Sequence, residues 1–273
     1  MLAMGTDKQL LDLAQTGDRA AVDEILSRHE QQIYRYGLRM CGNEEDARDV
    51  LQETLLAAFQ NMTGFRGDAQ LSTWLYQIAR NFCLRSRRRT QGEPEHVERL
   101  DKPEAAAVAS GQAQPDTLAH AHEMGTLLHA AILTLPEAHR EVLILRDVEG
   151  LSAEEAARVI GIEVGALKSR LHRARMELRG KLVDSLEPAS GPPGSASPCP
   201  ELADELAAYA AEEIDQSTCA RIEEHLKGCP RCAAACATLQ RTVSFCRQIP
   251  GGEVPAPVRA AVRAALLAGR PEA

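Results

Sequence analysis

Four metal-binding side chains near the C-terminal end constrain the fold more than any other feature of this sequence. They are Cys199, His225, Cys229 and Cys232. The segment ARIEEHLKG predicts a helix that has His225 in its last turn and ends at Gly228, and Pro230 then begins the next segment. Cys199 must arrive from a distant part of the chain. Three thiolates and an imidazole are a common closed zinc set, so we predict one Zn²⁺ ion that staples a domain too small for a large core.

The remaining cysteines leave several interpretations open. Those in the same region that exceed a four-ligand set are Cys219, Cys236 and Cys246. They are interpreted as packing residues, as a resolving thiol, or as ligands of a second, softer metal. The whole set could also be free thiols in a helical tail. Alternatively, the Cys-Pro-Arg-Cys motif could be a redox centre, although no βαβ pattern surrounds that motif. Cys41 and Cys83 are predicted to be small buried apolar groups.

The composition favours helices. Hydrophobic residues make up 44% of the 273 positions but aromatic residues only 3%, which is typical of Leu/Ala-rich helices rather than strand-rich sheets. We therefore expect an all-α protein with two or three small domains. The formal net charge is −8. A DNA-binding role would therefore depend on local basic clusters and on help from a partner.

The sequence also indicates the cellular compartment of the protein. No apolar run is long enough for a membrane span, and the start MLAMGTDKQLLD lacks the basic start and apolar core of a signal peptide. We expect a cytoplasmic protein with no membrane partner. In that reducing compartment the cysteines are expected to bind metal or sense oxidants rather than form structural disulfides.

Helical periodicity and linker composition divide the chain into six segments. Apolar residues recur at helical spacing in two regions, which an acidic segment rich in Pro, Gly and Ala separates. The sequence EPASGPPGSASP forms a second, flexible tether. The predicted segments are a helical domain at 6–92, a linker at 93–116, a second helical domain at 117–186, a tether at 187–198, a zinc-stapled helical domain at 199–250, and a hinge with an amphipathic tail helix at 251–273.

A helix-turn-helix pattern lies in the second helical domain. Ser152 and Glu155 have the spacing of a capping box, and Gly161 suits a left-handed turn between two helices. The second helix carries a leucine stripe and a basic remainder, and such a helix enters the major groove of DNA by its N-terminal end. The predicted DNA-binding residues here are Lys168, Ser169, Arg170, His172, Arg173 and Arg175. The alternative is an ordinary helical hairpin with a solvated cationic face.

Two long segments resemble a known family. LPEAHREVLILRDVEGLSAEEAARVIGIEVGALKSRLHRARMELR is similar to the promoter-binding C-terminal domain of bacterial extracytoplasmic-function sigma factors. DARDVLQETLLAAFQNMTGFRGDAQLSTWLYQIARNFCLRSRRR is similar to their N-terminal domain. The resemblance covers roughly residues 10–185. It implies a protein that is not an enzyme, that binds core RNA polymerase, brings it to promoter DNA and helps to open the duplex.

The resemblance also implies roles for residues in the N-terminal domain. The helix that would dock on the coiled coil of the largest polymerase subunit carries Asp46, Asp49, Gln52 and Glu53, although a merely solvated acidic face is the alternative. Phe65 and Asn81 are the candidates for capturing an unstacked base of the minus-ten element. Basic residues that would follow the opened strands are Arg80, Arg85, Arg87, Arg88 and Arg89.

The C-terminal cysteine-rich segment resembles the zinc-binding anti-sigma domain, here fused in cis. In that family a helix placed like VPAPVRAAVRAALLAG lies between the two sigma domains, although here it could equally be a loose tail. We therefore expect an intramolecular contact that inhibits the sigma domains until a metal or an oxidant releases it. Two alternatives remain. The tail could activate instead, or the protein could be a metal-responsive helix-turn-helix repressor that acts without polymerase.

Overall fold

The computed structural model describes residues 6–65, 67, 70–92, 125–186, 198–211, 213–214, 216–248 and 253–268. Regular structure in these ranges is helical, which confirms the all-α prediction. The predicted linker at 93–116 and residues 187–197 of the predicted tether lie outside the described residues. None of the described helices is both long and apolar enough to span a bilayer.

The helices are numbered in chain order. Their bounds are α1 Asp7–Gln15, α2 Arg19–Cys41, α3 Glu44–Asn61, α4 Leu71–Gly92, α5 125–133, α6 Glu137–Leu143, α7 Ala153–Ile160, α8 Val164–Leu186, α9 Ala203–Ala210, α10 Gln216–Gly228, α11 Pro230–Gln248 and α12 Ala256–Ala268. Short 3-10 turns occur at Met62–Gly64 and Pro200–Leu202, and α6 continues into a π-helical turn at Ile144–Val148.

The chain forms two compact units. Among the described residues, the first unit holds α1 to α4, Arg158–Gly161 and α12, and the second holds the rest of α5 to α11. The sequence places the helix-turn-helix segment and the cysteine-rich segment in separate domains. In the structure, both contribute to one compact body.

In the first unit, α2 packs against α1, α3 and α4. The carboxylate of Asp18 caps α2 by accepting a hydrogen bond from the backbone N–H of Ala20 at 2.9 Å. A glycine is needed at position 37, where an added Cβ would lie 3.2 Å from the Cα of Ala47 on α3. The rings of Tyr36 and Tyr76 meet edge to face at 5.4 Å and join α2 to α4. These contacts fix the mutual positions of α2, α3 and α4.

In the second unit, α8 is the helix on which other elements assemble. Its apolar stripe is buried, as the sequence pattern predicts. The stripe consists of Leu167, Leu171, Ala174, Leu178 and Leu182. Helices α6, α9 and α11 all contact α8. A small second core lies in the cysteine-rich segment. Its largest members are Leu206, Ile222 and Leu239, and Met176 of α8 packs against it.

Candidate metal centre and nucleic-acid interface

The four predicted metal ligands come together in the second unit. Cys199 precedes the 3-10 turn, His225 lies in the last turn of α10, Cys229 lies between α10 and α11, and Cys232 lies in the first turn of α11. Each offers one ligand atom, and these atoms all lie within 4.8 Å of one another. In the described part of the chain this is the one group of three or more metal-binding side chains with such geometry.

Backbone hydrogen bonds hold these side chains in position. The N–H of Cys229 donates to the carbonyl of His225 at 2.9 Å, which closes the last turn of α10. The N–H of Cys199 donates to the sulfur of Cys232 at 3.3 Å, so the residue most distant in sequence is tied directly to the set. Outside the set, the guanidinium of Arg231 lies 3.6 Å from the sulfur of Cys199.

The donor set fits a zinc ion. Zn²⁺ takes tetrahedral sulfur and nitrogen ligands at about 2.3 and 2.0–2.1 Å, which places ligand atoms about 3.5–3.8 Å apart. The four atoms therefore need to approach one another by about an ångström at most. The Nε2 atom of His225 is buried and has no hydrogen-bond partner among the described residues. A buried ring nitrogen without a partner is costly, and a metal bond would satisfy it.

The thiols of this region differ in acidity. A hydrogen bond from the backbone of Cys232 holds the pKa of the Cys229 thiol below its ordinary value, despite the opposing effect of desolvation. Burial raises the pKa of the Cys232 thiol. Burial, with the neighbouring Cys232, raises the pKa of Cys236 to about 11. Cys236 belongs to the apolar core of this segment, where a protonated thiol packs like a small hydrophobic group.

The helix-turn-helix forms as the sequence predicts. The backbone N–H of Ser152 donates to Glu155 Oε2 at 2.8 Å, and the N–H of Glu155 donates to Ser152 Oγ at 3.1 Å. This reciprocal capping box begins α7. Gly161 has a φ of 79°, in the left-handed region, and allows the turn into α8.

The predicted DNA-binding residues of α8 have different environments. Lys168, Ser169 and Arg173 are exposed, and Arg170 and His172 are half-buried. Arg175 is buried. Its guanidinium donates to both carboxylate oxygens of Asp147, at 2.8 and 2.6 Å, and so is not available to a phosphate in this arrangement.

Arg175 belongs to a network of four charged groups. Glu213, which follows α9, accepts a hydrogen bond from Arg175 at 3.0 Å and forms an ion pair with Arg146. We name Arg146, Asp147, Arg175 and Glu213 the α8 charge network. Burial opposes a raised pKa at Arg175, but the hydrogen bonds and charge attraction from Asp147 and Glu213 together outweigh burial and raise the pKa. Burial opposes ionisation of Glu213, but the hydrogen bonds and charge attraction from Arg175 and Arg146 together outweigh burial and lower its pKa.

No local pattern in the sequence indicates this network. Asp147 and Glu213 are 66 positions apart in the chain, and each looks like an ordinary helix-flanking acid. The network adjoins a cavity of about 520 Å³. Both the N-terminal turns of α8 and helix α9 line this cavity, through Lys168, His172 and Ala207 among others. The cysteine-rich segment is therefore adjacent to the predicted DNA-reading face.

The first unit holds the predicted polymerase-binding residues on α3. Asp49 and Glu53 are exposed and Gln52 is half-buried. Asp46 is partly covered and accepts a hydrogen bond from Ser86 of α4 at 2.8 Å. The exposed pair leaves an acidic surface on α3.

The predicted minus-ten residues lie on and before α4. Phe65 is 9% exposed and packs against Trp74, with ring centroids 5.0 Å apart. Asn81 and Arg85 are exposed and Arg80 is half-buried. The side chains of Arg87, Arg88 and Arg89 lie outside the described residues.

The tail helix α12 belongs to the first unit. It contacts α3, and Val262 on its apolar side is 2% exposed. Arg259 donates a hydrogen bond to Glu30 of α2 at 2.5 Å. Helix α12 is therefore packed on the same unit as the predicted polymerase-binding surface.

Three protein families match the chain. Residues 25–93 match Sigma-70 region 2, residues 126–178 match Sigma-70, region 4, and residues 199–233 match a family described as a putative zinc-finger. The first two matches cover the helices that carry the predicted polymerase and DNA contacts. The third begins at Cys199 and contains all four predicted metal ligands.

Similar proteins agree with these matches. The ECF RNA polymerase sigma factor SigE of Mycolicibacterium smegmatis is 34% identical over 62% of this chain and 65% of its own length. The ECF RNA polymerase sigma factor SigM of Mycobacterium tuberculosis is 33% identical over 63% of this chain and 83% of its own length. The solved structure of CnrH in complex with the cytosolic domain of CnrY is 26% identical, covers 66% of this chain and 99% of that one, and has a TM-score of 0.47. The chain matches two Sigma-70 regions and is 33% identical to SigM over 83% of the length of SigM. The chain therefore belongs to the extracytoplasmic-function family of RNA polymerase sigma factors.

Proposed function

We propose that this protein is a transcription initiation factor that directs core RNA polymerase to specific promoters. Family membership and the formed helix-turn-helix support this role. It acts as a non-catalytic subunit, in the cytoplasm, where polymerase and the chromosome are. A metal-responsive repressor acting without polymerase is less favoured, because such a protein has no need of a Sigma-70 region 2.

Two surfaces are assigned to promoter DNA. The exposed residues Lys168, Ser169 and Arg173 lie on the early turns of α8, where a recognition helix meets base edges and phosphates. Exposed Asn81 and Arg85 lie on α4, where they would contact the opened strand. The acidic surface of α3, with Asp49 and Glu53, is assigned to polymerase.

Cys199, His225, Cys229 and Cys232 are assigned to one zinc ion. Zinc bound there would supply a structural cross-link between the 3-10 turn, α10 and α11. The residues themselves do the positioning, because the N–H of Cys199 already holds the sulfur of Cys232, and the N–H of Cys229 ties its backbone to that of His225. Bound zinc would therefore stabilise the small core around Leu206 and Ile222.

We further propose that the zinc-binding segment inhibits the sigma domains of its own chain. The observation that supports this most is the α8 charge network. Glu213 pairs with Arg146 and Arg175 beside the DNA-reading face, and an acid in that place disfavours the approach of phosphate. A short tether gives an effective concentration on the order of millimolar, so even a weak contact stays closed.

Loss of metal, or oxidation of the ligand thiols, would end the inhibition. Either event removes the cross-link on which the small core depends. The core cluster includes residues of α9, the helix that precedes Glu213. Unfolding of this segment would therefore withdraw Glu213 from the two arginines and remove its negative charge from beside the first turns of α8.

The test compares four proteins in transcription with core polymerase: the full chain, a variant truncated after Ser190, and two point variants. The promoter is one selected with the truncated variant. Under reducing, zinc-replete conditions the truncated variant should be more active than the full chain. The point variant Glu213→Gln should lie between them, and Glu224→Gln, an exposed acid of α10, should match the full chain.

Each alternative has its own outcome in this test. Equal activity of full and truncated chains, with equal response to peroxide or chelator, would refute inhibition. An inactive truncated variant would instead mean that the tail activates. Binding to duplex promoter DNA in the absence of polymerase, with no co-purification of core enzyme, would favour the repressor.

A further inference from the structure

Two cysteines of the first unit lie against each other. Cys41 is the last residue of α2 and Cys83 lies in the middle of α4, and their sulfur atoms are 3.6 Å apart. Neither sulfur is part of a disulfide in this structure. Neither belongs to the zinc set, and neither is assigned to DNA or polymerase. A disulfide requires the two sulfurs to approach to about 2.05 Å, which is a closure of about 1.5 Å.

The packing around the pair holds α2 and α4 at a fixed distance. The Tyr36 and Tyr76 rings join the same two helices two turns before Cys83 on α4. On the other side, the hydroxyl of Ser86 donates to Asp46 at 2.8 Å and ties α4 to the start of α3. Because these contacts join the helices near the pair, they keep the two sulfurs close to each other.

The two thiols differ in access to solvent. Cys83 is fully buried, whereas Cys41 is half-buried at the helix end. A small oxidant therefore reaches Cys41 first and leaves Cys83 as the partner thiol. Gly42 follows with a φ of 86° and ends α2, so the backbone beside Cys41 is not constrained by a further helical turn.

We infer that Cys41 and Cys83 form a site of reversible oxidation to an intramolecular disulfide, with hydrogen peroxide as the oxidant. The Cys41 thiol loses its proton and its sulfur attacks one peroxide oxygen. The O–O bond breaks, the departing hydroxide takes up a proton, and the products are a sulfenic acid at Cys41 and one water. The sulfur of Cys83 then attacks the Cys41 sulfur, the S–O bond breaks, and a second water leaves. Both cysteine sulfurs are oxidised and the peroxide is reduced to two waters.

The bond would tie the end of α2 to α4, the helix that carries Asn81 and Arg85. This site is separate from the zinc set and does not depend on the inhibition proposed above. A dithiol reductant would restore both thiols.

The test uses the zinc-loaded full chain treated with hydrogen peroxide. The remaining thiols are blocked under denaturing conditions, and the protein is digested without reduction and mapped by mass spectrometry. The expected result is a cross-linked peptide pair containing Cys41 and Cys83, parallel loss of both free thiols, a higher Tm, and recovery of all three readouts after dithiothreitol.

Two variants separate the steps. Cys83→Ser should give no cross-link but a sulfenic acid at Cys41 that dimedone traps, and the control Cys219→Ser should form the cross-link like the parent chain. The inference is wrong if peroxide that oxidises Cys219 leaves Cys41 and Cys83 both alkylatable in the parent chain. It is equally wrong if Cys41 pairs mainly with a C-terminal cysteine. These readouts need neither polymerase nor promoter DNA.

Discussion

Glu213 accepts hydrogen bonds from two arginines at once, Arg146 and Arg175. Asp147 already holds Arg175 through two bonds, so Glu213 is the outer member of the network. Its side chain is 24% exposed, whereas that of Asp147 is 2% exposed. Removal of Glu213 therefore leaves Arg175 paired, and the network can lose its outer acid without leaving an isolated buried charge.

Glu213→Gln should weaken the second unit modestly, by about 1–2 kcal/mol, because hydrogen bonds to charged groups contribute on that order. The pKa of Glu213 is lowered in the folded chain, so its contribution is present above the ordinary value of 4.5 and is lost as the pH falls through the folded value. Urea unfolding of the parent chain and of Glu213→Gln, from neutral to acid pH, measures the difference in unfolding free energy. A difference in unfolding free energy that does not shrink below about pH 4.5 would contradict the assignment.

Cys229→Ala should abolish stoichiometric zinc binding and unfold the segment around α10, because three ligands cannot close the site. Zinc released to a colorimetric chelator and the helical signal in circular dichroism are the two measurements. Cys219→Ala is the matched control, since Cys219 lies outside the four-ligand group, and it should keep its metal. Full zinc content in Cys229→Ala would show that Cys229 is not a zinc ligand.

At the scale of elements, α8 serves two surfaces. It contacts α6, α9 and α11, yet Lys168, Ser169 and Arg173 stay exposed on its first turns. The position of those turns depends on α7, whose start is fixed by the capping box of Ser152 and Glu155. The capping box of α7 therefore supports the orientation of the predicted DNA-reading face.

Ser152→Ala should destabilise the second unit by about 1 kcal/mol, because the backbone N–H of Glu155 loses its acceptor. Thermal unfolding measures the change. Ser152→Asp should restore most of the stability, since aspartate is a good N-cap residue. If Ser152→Ala and Ser152→Asp unfold at the same temperature, the capping box does not stabilise α7.

At the scale of the whole molecule, the segments that follow the sigma regions contribute to both compact units. Helices α9 to α11 belong to the second unit and α12 belongs to the first. In the first unit, Val262 is buried and Arg259 reaches Glu30 of α2. If α12 limits access to α3, polymerase binding and release of α12 are competing events.

Arg259→Glu should increase the affinity for core polymerase, because a carboxylate facing Glu30 repels α12 from the first unit. A pull-down of core enzyme at moderate salt measures the change. The double variant Arg259→Glu with Glu30→Arg restores opposite charges and should return the affinity to that of the parent chain. Unchanged affinity in the single variant would mean that α12 does not compete with polymerase.

Local signals in the sequence predicted the helices, the capping box at Ser152, the leucine stripe of α8 and the candidate ligands His225, Cys229 and Cys232, because each of these follows from spacings of a few residues. Cys199 was placed with His225 by donor chemistry alone. Only the tertiary structure decided the α8 charge network, the Arg259–Glu30 pair and the contact of Cys41 with Cys83. The residues paired in these contacts are 28 or more positions apart in the chain. No local period encodes such distances, because packing of whole helices brings these side chains together.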